Sequence, residues 1–303
     1  MYNTGLLLTV LSPGASSLSF RASAGILHGS RNPNRYNAGV GFRWKISVMN
    51  DPHVVSLTYE LESVEGISYR DPAPLIRDYP AFRLELRDGQ LFAAFHDHFP
   101  SIEAAREAVE AVLLAWEVYT SLQEGKEPLR FSFLTGEVVD RSPLPLGSQR
   151  TLKAEAGSYL MIGADVSLHV TRARYPEPPV SFEVTREVEA MWRRRAGHID
   201  GKEPLLSMAY YCLSLVQRLG GGREGAAKAF SIERAVLDTL GQLTSTRGDA
   251  ETARKENLGS LNNPLTDSEK NWIFSAVTHL IIRLGEDAAG VGGRLGMQDL
   301  PKL

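Results

Sequence analysis

The chain of 303 residues has one cysteine, Cys212. A single thiol forms no internal disulfide, so a disulfide scaffold is excluded and a reducing compartment is implied. There is no Cys-x-x-Cys, no His-Glu-x-x-His and no Gly-x-Ser-x-Gly. The common zinc, metalloprotease and serine-hydrolase signatures are therefore absent. Residues Gly220 to Gly225 are glycine-rich but lack the lysine and the preceding strand of a phosphate loop. No apolar run approaches the roughly 18 residues a membrane helix needs. The formal net charge is −3, which supplies no global field to draw nucleic acid or an anionic membrane. These absences point to a cytoplasmic protein with no membrane partner, no cofactor and no metal.

Acidic residues are missing from one stretch. Residues 1–50 hold no Asp or Glu, but they hold Arg21, Arg31, Arg35, Arg43 and Lys45. Gly5 to Leu11 followed by Ala22-Ser23-Ala24 has the outline of a signal peptide, yet no basic residue precedes the apolar run. The composition shifts at Met49-Asn50-Asp51-Pro52. Residues 1–48 read as a basic extension that is disordered, or that lies upstream of a start at Met49. A second reading makes the arm from Arg31 to Lys45 a nucleic-acid binder. Its arginines would pair phosphates while Tyr36, Phe42 and Trp44 stack on bases.

What is present falls into two patterns. Val54 to Leu61 alternates as a strand. Phe82, Leu84 and Leu86 alternate with Arg83, Glu85 and Arg87, which predicts a half-buried strand. Asp88-Gly89 then predicts a hairpin turn, with Leu91 to Phe95 returning. Ser101 should cap a helix whose stripe is Ile102, Ala105, Val109, Val112, Leu113 and Trp116, ending before Gly125. Strands are expected at Leu129–Leu134, Val138-Val139, Tyr159–Ile162 and Val166–Val170.

Tyr175-Pro176-Glu177-Pro178-Pro179 marks a boundary, because prolines hold the chain extended. Beyond it the period becomes 3.6. Thr185 should cap a first helix. Leu205 to Leu219 forms a second, closed by three glycines, and Phe230 to Leu243 a third. Thr266 and Glu269 form a capping box for a fourth. The fold class is therefore α+β: a mostly antiparallel, β-rich domain with one packed helix, then an all-α bundle of about four helices. The expected division is 1–48 extension, 49–176 α+β domain, 177–286 bundle and 287–303 flexible tail.

Few residues suggest chemistry. His96 and His98 lie two apart after a strand and would share a face, but a metal needs a third ligand from His28, His53 or His169. Cys212 falls on an apolar stripe and reads as a core residue rather than a nucleophile. Arg247-Gly248-Asp249 with Arg254-Lys255 reads as a solvated charged loop. Arg193 and His198 stand in an Arg-x4-His spacing. In this they resemble HEPN-type ribonucleases, helical bundles that act on RNA as dimers. The resemblance implies His198 for proton transfer and Arg193 for holding the phosphate.

The leading expectation is a non-catalytic interaction or regulatory protein that binds another chain, or itself, through its helical part. A metal-independent ribonuclease using Arg193 and His198 is the alternative. Nucleic-acid binding by the basic arm is the second alternative.

Overall fold

The computed structural model describes residues 50–62, 67–125, 129–142, 153–156, 170–247 and 263–303. It begins with β1 (Pro52–Leu61), β2 (Ile67–Tyr69), β3 (Leu75–Asp78), β4 (Phe82–Arg87) and β5 (Gln90–Phe95). One long helix, α1 (Ile102–Glu124), follows, then β6 (Phe131–Asp140), β7 (Lys153–Ala156) and β8 (Val170–Arg172). Five helices complete it: α2 (Arg186–Ile199), α3 (Leu205–Leu219), α4 (Arg223–Ala229), α5 (Arg234–Thr246) and α6 (Asp267–Ala288).

Six strands form one sheet in the order β3-β4-β5-β1-β6-β7. Every pairing in it is antiparallel. Alternation explains the face: Phe82, Leu84, Leu86, Leu91 and Ala93 are all buried, whereas Arg83 and Arg87 are exposed. Asp88 and Gly89 both have positive φ, 50° and 73°, so the hairpin turns as its sequence predicts. β2 and β8 pair in parallel as a separate ribbon. The expected segments Leu129–Leu134 and Val138-Val139 merge into the single strand β6. Strands expected at Tyr159–Ile162 and Val166–His169 lie outside the described residues, as does the basic arm.

α1 starts where its cap is. The Ala104 N–H donates to Ser101 Oγ at 3.2 Å, and Gly125 closes the helix with φ 82°. Its first half buries Ala105, Val109, Leu113 and Trp116 against the sheet. Its second half buries Ala115, Val118 and Leu122 in the core of the helical part. One helix thus belongs to both cores. The proline segment does not swing free between them. Trp116 Nε1 donates to the Pro176 carbonyl at 3.1 Å, and the Gly89 N–H donates to Tyr175 Oη at 3.1 Å.

Among the described residues the helical part has five helices rather than about four. The extra one, α4, has the sequence Arg-Glu-Gly-Ala-Ala-Lys-Ala and carries no apolar stripe to read. It packs directly on Gly220, where an added Cβ would lie 2.2 Å from Ala226 Cα. The glycines after α3 therefore make a tight turn, in which the Gly222 N–H donates to the Gln217 carbonyl at 2.7 Å. Residues 287–303, expected as a flexible tail, also differ. Leu295 and Leu300 are buried in the helical core, and the Glu233 N–H donates to the Leu295 carbonyl at 2.7 Å. Buried Arg283 donates to the carbonyls of Phe230 and Val291, which fixes the return. Two leucines spaced among glycines show no periodicity, so the sequence pattern missed them.

Among the described residues, no helix is long and apolar enough to cross a membrane.

Candidate functional site

The concave feature that involves a candidate residue is a groove of about 610 Å³ in the helical part. It is open to solvent and lies where α2 ends, α3 begins and α6 starts. Its lining comprises His198, Leu205, Leu206, Pro264, Leu265, Lys270, Asn271 and Phe274. The floor is apolar because Leu205 and Leu206 open α3 and Phe274 is on the inner side of α6. The rim carries one cation, one amide and one imidazole.

α2 delivers His198. Thr185 caps the helix, accepting from the Val188 N–H at 3.2 Å. Gly197 does not interrupt the helix, and α2 continues to Ile199. The Gly197 carbonyl instead accepts from the Lys202 and Glu203 N–H groups, which folds the next turn back. That turn fixes the imidazole: His198 Nδ1 is 2.9 Å from the Glu203 carbonyl oxygen. A carbonyl only accepts, so Nδ1 carries the hydrogen. In the neutral ring the lone pair is then on Nε2. The Glu203 carboxylate is held away from the ring by Arg194, at 2.7 Å.

α6 supplies the opposite wall. Thr266 and Glu269 complete the expected capping box. Arg247 reaches Glu269 Oε1 at 2.6 Å and also bonds Asn263, tying the end of α5 to the start of α6. Hydrogen bonds from the Thr266 backbone and hydroxyl, then Arg247, hold the Glu269 carboxyl below the usual range. The expected charged loop beyond Arg247 lies outside the described residues.

The structure does not bring Arg193 and His198 into one cleft of the chain. Five helical positions turn about 140° around the axis. Arg193 faces solvent and pairs with Glu189 on its own helix. Arg195 is the arginine next to the groove; the helical pattern sets it on one face with Val188, Met191 and Trp192, but it was not among the candidate site residues. It is 2% exposed, and its guanidinium carbon lies 4.6 Å from the centre of the Phe274 ring. Nε donates to Thr278 Oγ1 at 2.9 Å, and one terminal nitrogen is 3.4 Å from the Ser121 carbonyl. Among the described residues no carboxylate is paired with it. Burial lowers its pKa to about 10. A buried arginine on a helix's apolar stripe was the available signal, because Arg195 shares a face with Val188 and Met191.

The remaining candidates separate. His98 meets His53 rather than His96: the two rings stack at 5.4 Å, and His98 Nε2 is 3.7 Å from Asp51 Oδ1. Among the described residues no group of three His, Cys, Asp or Glu side chains is arranged to hold a metal ion. His28 and His169 lie outside the described residues. Cys212 is fully buried, and burial pushes its thiol up to about 12. At neutral pH it is a protonated core residue and a poor nucleophile.

Comparison with known family models, curated proteins and solved structures gives no match to this chain.

Proposed function

We propose that the chain is a non-catalytic interaction protein of the cytoplasm that receives part of another polypeptide, or of a second copy, in the groove beside His198. One observation carries the reading. The groove combines an apolar floor with a fixed hydrogen-bond acceptor and no paired acid and base. Leu205, Leu265 and Phe274, all only partly buried, offer area for burial. His198 Nε2 offers an acceptor whose orientation is set by the Glu203 carbonyl. General acid–base chemistry would need a second titratable group within reach of the same reacting atom. The residues lining the groove supply only Lys270, which is engaged with Asp267 at 3.0 Å. A groove of about 610 Å³ accommodates a few side chains of a bound segment.

Because α1 is shared by both cores, occupation of the groove also bears on the sheet. Arg195 touches the groove wall through Phe274 and α1 through the Ser121 carbonyl. Trp192 Nε1 donates to Ser121 Oγ at 2.7 Å beside it. A regulatory role would use that connection.

The test is site-specific photocrosslinking in cells. A photoreactive residue replaces Asn271 at the groove, and a control replaces Arg83 on β4. Sedimentation across a concentration series then separates self-association from a foreign partner. Adducts formed from position 271 and absent from position 83 are expected. Equal adduct yields at both positions would remove the groove from consideration.

A further inference from the structure

We infer that the segment received by the groove carries a carboxylate beside a large apolar side chain. The inference rests on the groove being the recognition surface and names the chemistry it selects.

The main observation is the uncompensated charge of Arg195. A buried guanidinium is costly unless an anion or a full set of acceptors offsets it. Two acceptors are in place, Thr278 Oγ1 and the Ser121 carbonyl, and the second bond is long at 3.4 Å. The face of Phe274 gives further but partial relief. The same ring lines the groove. Its other neighbour is His198, with ring centroids 6.0 Å apart. An anion seated at the edge of that ring, where the aromatic hydrogens carry partial positive charge, would therefore lie near a buried positive charge that no described acid offsets.

Two further features have the same sign. α3 begins in the groove with Leu205 and Leu206, yet its first turn has no side-chain cap and no acidic residue. Its first N–H groups thus have no side-chain acceptor of their own, and the positive end of the helix lies at the groove. Lys270 adds an amine at the rim. Its bond to Asp267 is an exposed pair, with the aspartate side chain 98% accessible. Such a pair is weak and is readily exchanged for a bound carboxylate. Among the described residues no carboxylate lines the groove. The acids nearby are held elsewhere, Glu203 by Arg194 and Glu269 by Arg247.

The apolar half of the motif follows from the floor. A Leu, Ile or Phe side chain would cover Leu265 and Phe274. The peptide link beside it would present an N–H, the donor that the His198 Nε2 lone pair requires. An open groove suits an extended segment passing through it better than a closed cavity would.

The experiment pans a random dodecapeptide library, displayed on phage, against the full chain and against three variants: Lys270→Glu, Leu265→Asp and Arg83→Glu. Enriched peptides are expected to place Asp or Glu within two positions of Leu, Ile or Phe. Their affinity should fall about tenfold or more in Lys270→Glu, disappear in Leu265→Asp and be unchanged in Arg83→Glu. Enrichment that Leu265→Asp abolishes but that shows no acidic preference overturns the charge inference and leaves the groove reading standing. Enrichment indifferent to Leu265→Asp, or no enrichment, overturns both. Circular dichroism on each variant establishes that the fold is retained.

Discussion

The Arg195 guanidinium lies over the Phe274 ring at 4.6 Å, joining the inner face of α2 to the wall of the groove. The arginine also reaches the Ser121 carbonyl on α1, the helix that both cores share. Packing, charge and the candidate site thus meet at one residue.

A buried cation with no acid partner contributes shape more than charge. Arg195→Met keeps most of the apolar stem and removes the cost of burying the charge. It is expected to change stability by less than about 1.5 kcal/mol. Arg195→Ala also opens a cavity and should cost about 2–4 kcal/mol. Urea denaturation of both variants checks this. A methionine variant as unstable as the alanine variant would mean that the charge itself holds the junction.

Gly285 on α6 lets Phe182 lie against the helix backbone. A Cβ at position 285 would fall 2.2 Å from Phe182 Cε2. Gly285→Ala is therefore expected to destabilise by about 1–3 kcal/mol through overpacking, despite alanine's better helix propensity. Combining it with Phe182→Leu should recover part of the loss. Thermal unfolding of the single and double variants gives the comparison.

His53 makes stability depend on pH. It is 4% exposed, and its Nδ1 is buried without a hydrogen-bond partner. Burial, then Arg141 and His98, lower its pKa below 6.5, and only Asp51 opposes them. The unfolded chain therefore takes up the proton more readily than the folded one. Stability from this source is complete above about pH 6.5 and declines as pH falls toward the folded value. In His53→Phe the loss between about pH 7.5 and 5.5 should shrink. Equal slopes for wild type and variant would remove His53 as the cause.

The ribonuclease alternative has a direct test. Arg193 lies on the solvent side of α2, paired with Glu189, while His198 lines the groove. The expectation is no RNA cleavage in chelator, and no difference between wild type, Arg193→Ala and His198→Ala. Cleavage that both substitutions abolish would replace the interaction reading with an enzymatic one in which a dimer brings the two residues together.

Much of the fold was legible because local rules and tertiary packing agree in those places. Ser101, Gly125, Thr185 and the Thr266–Glu269 box set helix ends through hydrogen bonds within a few residues of chain. The alternation in β4 named its buried face, since successive strand residues point to opposite sides. α4 was not legible, because an alanine-rich helix of seven residues carries no stripe. The tail was not legible either, because Leu295 is held by backbone bonds to Ser231 and Glu233, far away in sequence, and Arg283 bonds the Val291 carbonyl before it.

The site divides in the same way. The sequence drew attention to the end of α2 through Arg193 and His198. Only His198 lines the groove, and the arginine packed behind its Phe274 wall is Arg195, two positions beyond Arg193. Spacing along a helix gives an angle, but which side is covered depends on what packs there. Here α1 and α6 cover the side that holds Arg195, through Ser121, Phe274 and Thr278.

By itself, the sequence determined the α+β class, the antiparallel hairpin and the places where four helices start. These depend on period, capping and turn chemistry within about ten residues of chain. Only the tertiary structure decided that α1 serves two cores, that the glycine-rich tail is packed, and that a buried arginine lies behind the groove. Each of those facts depends on contacts between residues far apart in sequence, such as Ser121 with Trp192 and Arg195, 71 and 74 positions away.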